Sequence, residues 1–200
     1  MNEPGAAQNR LAFFDRDGVI NEDRGYVGKV RDLQFIEPVF EVLQQVVNAG
    51  FLPVIVTNQS GIGRGYYSEA QFHALSRHMQ QIYSHHHLPF IPVYYCPHHP
   101  TAGLKDYKVS CECRKPAPGM LYRAARELHG NLSQSILLGD SWRDIEAGAA
   151  AGLPAQCFIN SSAPRAFELN HSRVFHATSV PAVPALIPKI IAASKSGSDA

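Results

Sequence analysis

Residues 11–18 read LAFFDRDG. Leu11 to Asp15 is a short apolar run ending on a carboxylate, the pattern of a buried strand whose charged end leaves the core. Asp17 follows two residues later, and Gly18 then lets the backbone turn closely. Two questions follow from this stretch: what covers the strand, and what meets its carboxylates.

Helical and extended signals alternate along the rest of the chain. Val39, Val42, Leu43, Val46 and Val47 recur at helical spacing, opened by Pro38 and closed by Gly50. Leu52 to Val56 (LPVIV) reads as the next buried strand. Ser68 and Gln71 form a capping box for a helix running to about His85. Phe90 to Tyr95 is expected to be a strand. Pro118 starts a helix with Leu121, Ala125 and Leu128 on one face and Gly130 near its end. ILL at 136–138 is a strand, Trp142 to Ala151 a helix, and Gln156 to Ile159 a fifth strand. VFHA at 174–177 gives a last short strand, and 182–193 a helix. This alternation predicts an α/β fold: a Rossmann-like three-layer α/β/α domain around a mostly parallel central sheet.

The chain has 200 residues, 45% of them hydrophobic, enough for one well-buried core. One domain over 10–192 is expected, with a disordered N-terminus at 1–9 and a disordered tail at 193–200. Eighteen Lys and Arg against 17 Asp and Glu give a formal charge of +1, which is no footprint for non-specific nucleic-acid binding. No run of about 18 apolar residues suggests a membrane span. MNEPGAAQNR lacks the charged-then-apolar order of a signal peptide. A cytoplasmic monomer with no nucleic-acid or membrane partner is expected. Structural disulfides are rare in that compartment, so clustered cysteines lean toward metal or redox chemistry.

In parallel α/β sheets, ligands sit beyond the carboxyl ends of the strands. There the sequence places Asp15 and Asp17, then Thr57-Asn58-Gln59-Ser60-Gly61, then Lys115 ahead of the Pro118 helix, then Asp140 and Asp144. Singly, each has a bland reading: a turn former, a cap, a surface lysine. Together they suit phosphoryl transfer through a covalent intermediate. Carboxylates that would repel one another become compatible around Mg²⁺, a hard cation with oxygen ligands. One carboxylate can attack phosphorus. A second can protonate the leaving oxygen and later deprotonate water. Lysine, the hydroxyl and backbone N–H groups neutralise the phosphoryl oxygens.

Residues 96–116 read CPHHPTAGLKDYKVSCECRKP. Cys96 with His98 or His99, and Cys111 with Cys113, form two close pairs of soft ligands. Three sulfurs and one imidazole suit a closed, structural Zn²⁺ site. The alternative is a Cys111–Cys113 disulfide, which would close a strained, tiny loop. Cys157, on a predicted strand, reads as core, and His85-His86-His87 as a solvated helix end.

The ordered set DRDG, TNQSG, Lys115 and GDSWRD resembles the haloacid dehalogenase superfamily of phosphatases over roughly 11–160. The resemblance implies that Asp15 is the nucleophile and an Mg²⁺ ligand. It implies that Asp17 is the general acid/base, with its carbonyl on the metal. Thr57 and Lys115 would hold the phosphoryl group, Asp140 would complete the metal site, and Asp144 would support it. Many members carry a cap domain, but the segments between these motifs leave no room for a large one. The site should be shaped by the loops 21–36, 60–67 and 96–114.

Within the superfamily, DRDGVIN with GYV, TNQSGIGRGYY, CPHHP and CECRKPAPGM resemble the D-glycero-D-manno-heptose 1,7-bisphosphate phosphatases. The histidinol-phosphate phosphatases share the architecture and a similar cysteine loop. A zinc-ribbon nucleic-acid module on an inactive phosphatase scaffold is a third reading, opposed by the intact Asp15, Asp17 and Lys115. The heptose resemblance implies removal of the C7 phosphate from a small phosphorylated sugar, leaving the 1-phosphate, in ADP-heptose supply for the lipopolysaccharide core. It also selects His98 over His99, so that Cys96, His98, Cys111 and Cys113 bind zinc. Expected substrate contacts are Asn21, Glu22, Asp23 and Arg24, Thr57 to Ser60, and Arg114 beside Lys115, with Arg64 a weaker candidate. Ser141 departs from the longer charged residue expected after GD. Because Cys113 directly precedes Arg114 and Lys115, zinc should also fix those two cations.

Overall fold

The computed structural model describes residues 8–162 and 172–195. Its centre is β1 (Arg10–Phe14), flanked in parallel by β2 (Phe51–Asn58) and β4 (Ile136–Gly139). Outside these lie β3 (Val93–Cys96) on one edge, and β5 (Ala155–Ile159) and β6 (Arg173–Ala177) on the other. The full order is β3-β2-β1-β4-β5-β6, and every pairing is parallel. The chain winds outward from β1 to β3, then returns to β4 at β1's other side. The crevice where strand order reverses therefore lies at the ends of β1 and β4.

Strand side chains alternate between two apolar layers. Ala12 and Phe14 face α1 (Pro38–Asn48), α3 (Glu69–His85) and α6 (Ile187–Lys195), meeting Val42, Leu75, Met79 and Ile190 among others. Leu11 and Phe13 face α4 (Gly119–Glu127) and α5 (Trp142–Ala150), meeting Leu121, Ala124 and Ile145. The predicted three-layer α/β/α arrangement is present. A one-turn helix, α2 (Ser60–Gly63), follows β2 directly.

Several boundaries differ from expectation. β3 begins at Val93, not Phe90; Phe90 is 71% exposed, and Pro92, which lacks an N–H, contributes only its carbonyl to Ile55 N. The last helix begins at Ile187 rather than 182; before it the chain makes a separate 3-10 turn over Val180–Ala182. It continues to Lys195, so 193–195 are helical rather than disordered, and Ser194 is buried. Order begins early as well: Asn9 N donates to His129 O at 2.9 Å. The expected disorder at 1–7 and 196–200 lies outside the described residues. The triple histidine is a helix end, with His86 stacked on Phe40. Cys157 is buried in the sheet.

Phe14 is fully buried at the middle of this arrangement. Phe14→Ala should lower the unfolding free energy in urea melts by roughly 3–5 kcal/mol. A loss under about 1 kcal/mol would show that β1 is not the packing centre.

Candidate active site

β1 and β4 end side by side, and Asp15 and Asp140 follow their last residues. Asp15 N still donates to Leu138 O at 2.9 Å, which pins the DRDG turn to β4. Gly18 has φ +84, and a Cβ there would run into the Asp140 carboxylate, so glycine is what lets the turn approach so closely. Lys115 comes in from the cysteine loop. Asn58 clamps its backbone, donating to Lys115 O at 3.0 Å and accepting from Lys115 N at 3.0 Å. The ammonium then donates to Asp15 Oδ1 at 2.8 Å and Val56 O at 2.7 Å, and pairs with Asp144 Oδ1 at 2.6 Å. All three of its protons have partners. Asp144 is buried rather than solvated, and its other oxygen accepts from Ser141 N at 3.0 Å in the capping box that opens α5.

Charge at this junction is unbalanced. Burial pushes Asp15 up to about 6 against the pull of Lys115, with Asp144 adding to the rise. Burial, then Asp15 and Asp144, push Asp140 up to about 8. Burial opposes the charge on Lys115, yet Asp144 and Asp15 hold it up to about 12. One ammonium faces three carboxylates whose oxygens lie within 4.8 Å of one another. That donor set fits a hard divalent cation with oxygen ligands, which would relieve the repulsion.

Asp17 points away from this junction into a ring of donors. Arg16 Nη2 reaches both its oxygens, at 2.7 and 2.8 Å. Asn21 Nδ2 reaches Oδ1 at 3.0 Å, and Gln59 Nε2 reaches Oδ2 at 2.9 Å. Arg16 is 1% exposed and also donates to Val27 O at 2.5 Å, which ties the 21–36 loop to the acid/base candidate. The sequence reading passed over Arg16. A cation between two strand-end carboxylates was a visible signal, but the direction of its side chain was not.

These residues open into a cavity of about 480 Å³. Asp15, Asp17, Thr57, Asn58, Gln59, Ser60, Lys115, Asp140 and Asp144 line it, together with Arg64 and Arg114. Of the predicted loop contacts only Asp23 lines it; its carboxylate also accepts from Gly25 N at 2.9 Å. Asn21, Glu22 and Arg24 lie outside the cavity lining. Asn21 is buried against Asp17, while Glu22 and Arg24 pair with each other on the surface at 2.8 Å. Tyr26, Tyr67, His99 and Arg143 line the cavity without having been predicted. Burial first, then the positive charges of Arg114, Arg64 and Arg143, which line the same cavity, lower the pKa of His99.

The cysteine loop closes on itself. The sulfurs of Cys96, Cys111 and Cys113 stand 3.1–3.4 Å apart, and His98 Nδ1 lies 3.2–3.7 Å from each. Tetrahedral zinc, with bonds of about 2.3 Å to sulfur and about 2.0–2.1 Å to nitrogen, needs ligand separations of roughly 3.6–3.8 Å. The cluster is slightly tighter than that and has the right ligand set. His99 is turned elsewhere, its Nδ1 accepting from Ala102 N at 3.0 Å. All the cysteines are free, and the 3.1 Å between Cys111 and Cys113 is far from the roughly 2.05 Å of a disulfide.

A family model described as HAD-hydrolase-like matches residues 112–174. The D-glycero-beta-D-manno-heptose-1,7-bisphosphate 7-phosphatase of Vibrio cholerae is 43% identical over 152 residues, covering 76% of this chain and 82% of that protein. The D-glycero-alpha-D-manno-heptose-1,7-bisphosphate 7-phosphatase of Burkholderia mallei is 44% identical over 152 residues, covering 76% and 80%. Among solved structures, the D,D-heptose 1,7-bisphosphate phosphatase of B. bronchiseptica, complexed with magnesium and phosphate, superposes with a TM-score of 0.73 at 27% identity, over 90% of this chain and 98% of that one. The chain belongs to the heptose-1,7-bisphosphate 7-phosphatase family of haloacid dehalogenase-like hydrolases.

Proposed function

We propose that this protein hydrolyses the C7 phosphate of D-glycero-D-manno-heptose 1,7-bisphosphate, leaving the 1-phosphate for ADP-heptose and lipopolysaccharide core synthesis. The names of its relatives support the substrate. The observation that carries the chemistry is the buried junction of Asp15, Asp140, Asp144 and Lys115. Asp15 attacks phosphorus, the bond from phosphorus to the sugar O7 breaks, and Asp17 delivers a proton to O7. Asp17 then takes a proton from water as that water attacks the aspartyl-phosphate, which returns Asp15 and releases inorganic phosphate. The ring of donors around Asp17 suits its base form in that second half. Thr57 and Lys115 hold the phosphoryl oxygens. Mg²⁺ held by Asp15, Asp140 and the Asp17 carbonyl, with Asp144 beside them, would neutralise phosphoryl charge. Arg114, Arg64 and Arg143 offer the bidentate donors that a second phosphate accepts.

We also assign Zn²⁺ to Cys96, His98, Cys111 and Cys113, as a structural ion with no open position. Arg114 Nη1 donates to His98 O at 3.1 Å, so the loop that zinc would order also carries a cavity-lining cation.

Phosphorus NMR of the reaction should show the C7 phosphate lost and the C1 phosphate kept, only with Mg²⁺ present. kcat/KM should favour the heptose bisphosphate over histidinol phosphate, and the reverse preference would overturn the assignment. Asp15→Asn should lower kcat at least about 10⁴-fold, because an amide cannot attack phosphorus; near-normal turnover would contradict the covalent route. Stripping zinc, with Mg²⁺ then restored in excess, should lower the melting temperature by several degrees and kcat/KM by about tenfold or more. If both stay unchanged, the zinc assignment has no structural role.

A further inference from the structure

Gln59 and Tyr67 carry an inference that rests on the phosphatase reading of the site. Sequence placed Gln59 among the substrate contacts, but its amide is spent on the protein. One proton of Nε2 goes to Asp17 Oδ2 at 2.9 Å and the other to Thr57 Oγ1 at 2.8 Å. The opposite end, Oε1, accepts from the Tyr67 hydroxyl at 2.5 Å. Gln59 is 2% exposed and Tyr67 6% exposed, so water does not readily replace any of these partners.

The polarity of this chain has one consistent solution. A carboxylate only accepts, so Gln59 must present its NH₂ to Asp17. Tyr67 must then donate to the amide oxygen. Burial pushes Tyr67 up to about 12, so its hydroxyl keeps the proton it donates at neutral pH. With Thr57 Oγ1 accepting from Gln59, its own proton is left to point into the cavity it lines. The Tyr67 ring has little freedom to move. It is seated between Gly28 and Gly61, and a Cβ on either glycine would run into it.

We propose that Tyr67 is a positioning residue acting through Gln59: its hydroxyl anchors the amide so that the two Nε2 protons hold Asp17 in place and aim the Thr57 hydroxyl at the phosphoryl group. Without that hydroxyl, Oε1 becomes a buried acceptor with no donor, and the amide gains by turning away. Asp17 and Thr57 then lose a shared partner together. The seat between Gly28 and Gly61 also connects the 21–36 loop to α2 at the point where this anchor is held.

Tyr67→Phe keeps the ring and removes only the hydroxyl, so the variant should melt within a few degrees of wild type. Proton delivery matters for an alkyl leaving group and hardly matters for p-nitrophenolate. kcat on the heptose bisphosphate should fall about 10- to 100-fold with KM within about threefold, while turnover of p-nitrophenyl phosphate falls several-fold less. Gln59→Met should reproduce this pattern. The double variant should be no worse than Gln59→Met alone, within about twofold. Equal losses on both substrates, or losses that multiply in the double variant, would overturn the proposal. Nitrogen-15 NMR gives a readout independent of substrate. The Gln59 side-chain amide protons should be protected from solvent exchange in wild type and lose that protection in Tyr67→Phe. Unchanged protection sinks the Tyr67 role even in an active phosphatase. Failure of wild type to release the C7 phosphate would sink the functional reading instead, and leaves the NMR result to decide the anchor.

Discussion

The Lys115 ammonium, buried between Asp15 and Asp144 and bonded to Val56 O, is the contact on which the site depends. It joins the end of β1, the interior of β2, the first turn of α5 and the segment leaving the cysteine loop. An ammonium taken out of water is costly unless it is paired and its hydrogen bonds are complete, and here both conditions are met. The reverse cost is larger. Without the lysine, two carboxylates would face each other in the core beside a third, Asp140, which burial and these neighbours already push up to about 8. The same excess of negative charge makes the site receptive to a divalent cation.

Much of the remaining architecture serves to bring Lys115 in from a segment distant in sequence. Asn58, at the last position of β2, brackets its backbone with two hydrogen bonds. Four soft ligands, beginning at Cys96 on the last position of β3 and ending at Cys113, close the loop just before it. The loop has little apolar content of its own to hold it in place, so an ion that orders the ligands would also order Arg114 and Lys115. Arg16 does comparable work for Asp17, since one buried guanidinium holds both the Asp17 carboxylate and the Val27 carbonyl of the neighbouring loop.

The parallel sheet and the order of its strand-end residues were legible in the sequence because they depend on local rules. Short apolar runs, Pro38, the Ser68–Gln71 box and the positions of Asp15, Thr57 and Asp140 each carry their own signal. The cluster of three cysteines and one histidine was legible up to the choice between His98 and His99, which depends on the direction of the chain after Cys96. What escaped was mostly the aim of side chains. Asn21 and Gln59 are polar residues next to a motif, where binding a ligand and holding a neighbour look the same in one dimension. Glu22 and Arg24 find each other on the surface across a single residue, a contact their spacing does not announce. Arg16 shows no signal in one dimension that its guanidinium turns inward onto the carboxylate beside it.

In the covalent route proposed above, Asp15 carries the phosphoryl group between the two half-reactions. Single-turnover mixing of enzyme with substrate labelled in its C7 phosphate, followed by an acid quench, tests it directly. The label should be bound to the peptide containing Asp15, be released by hydroxylamine as an acyl phosphate is, and accumulate further in Asp17→Asn. Direct transfer of the label to water, with no hydroxylamine-sensitive adduct in either enzyme, would contradict it.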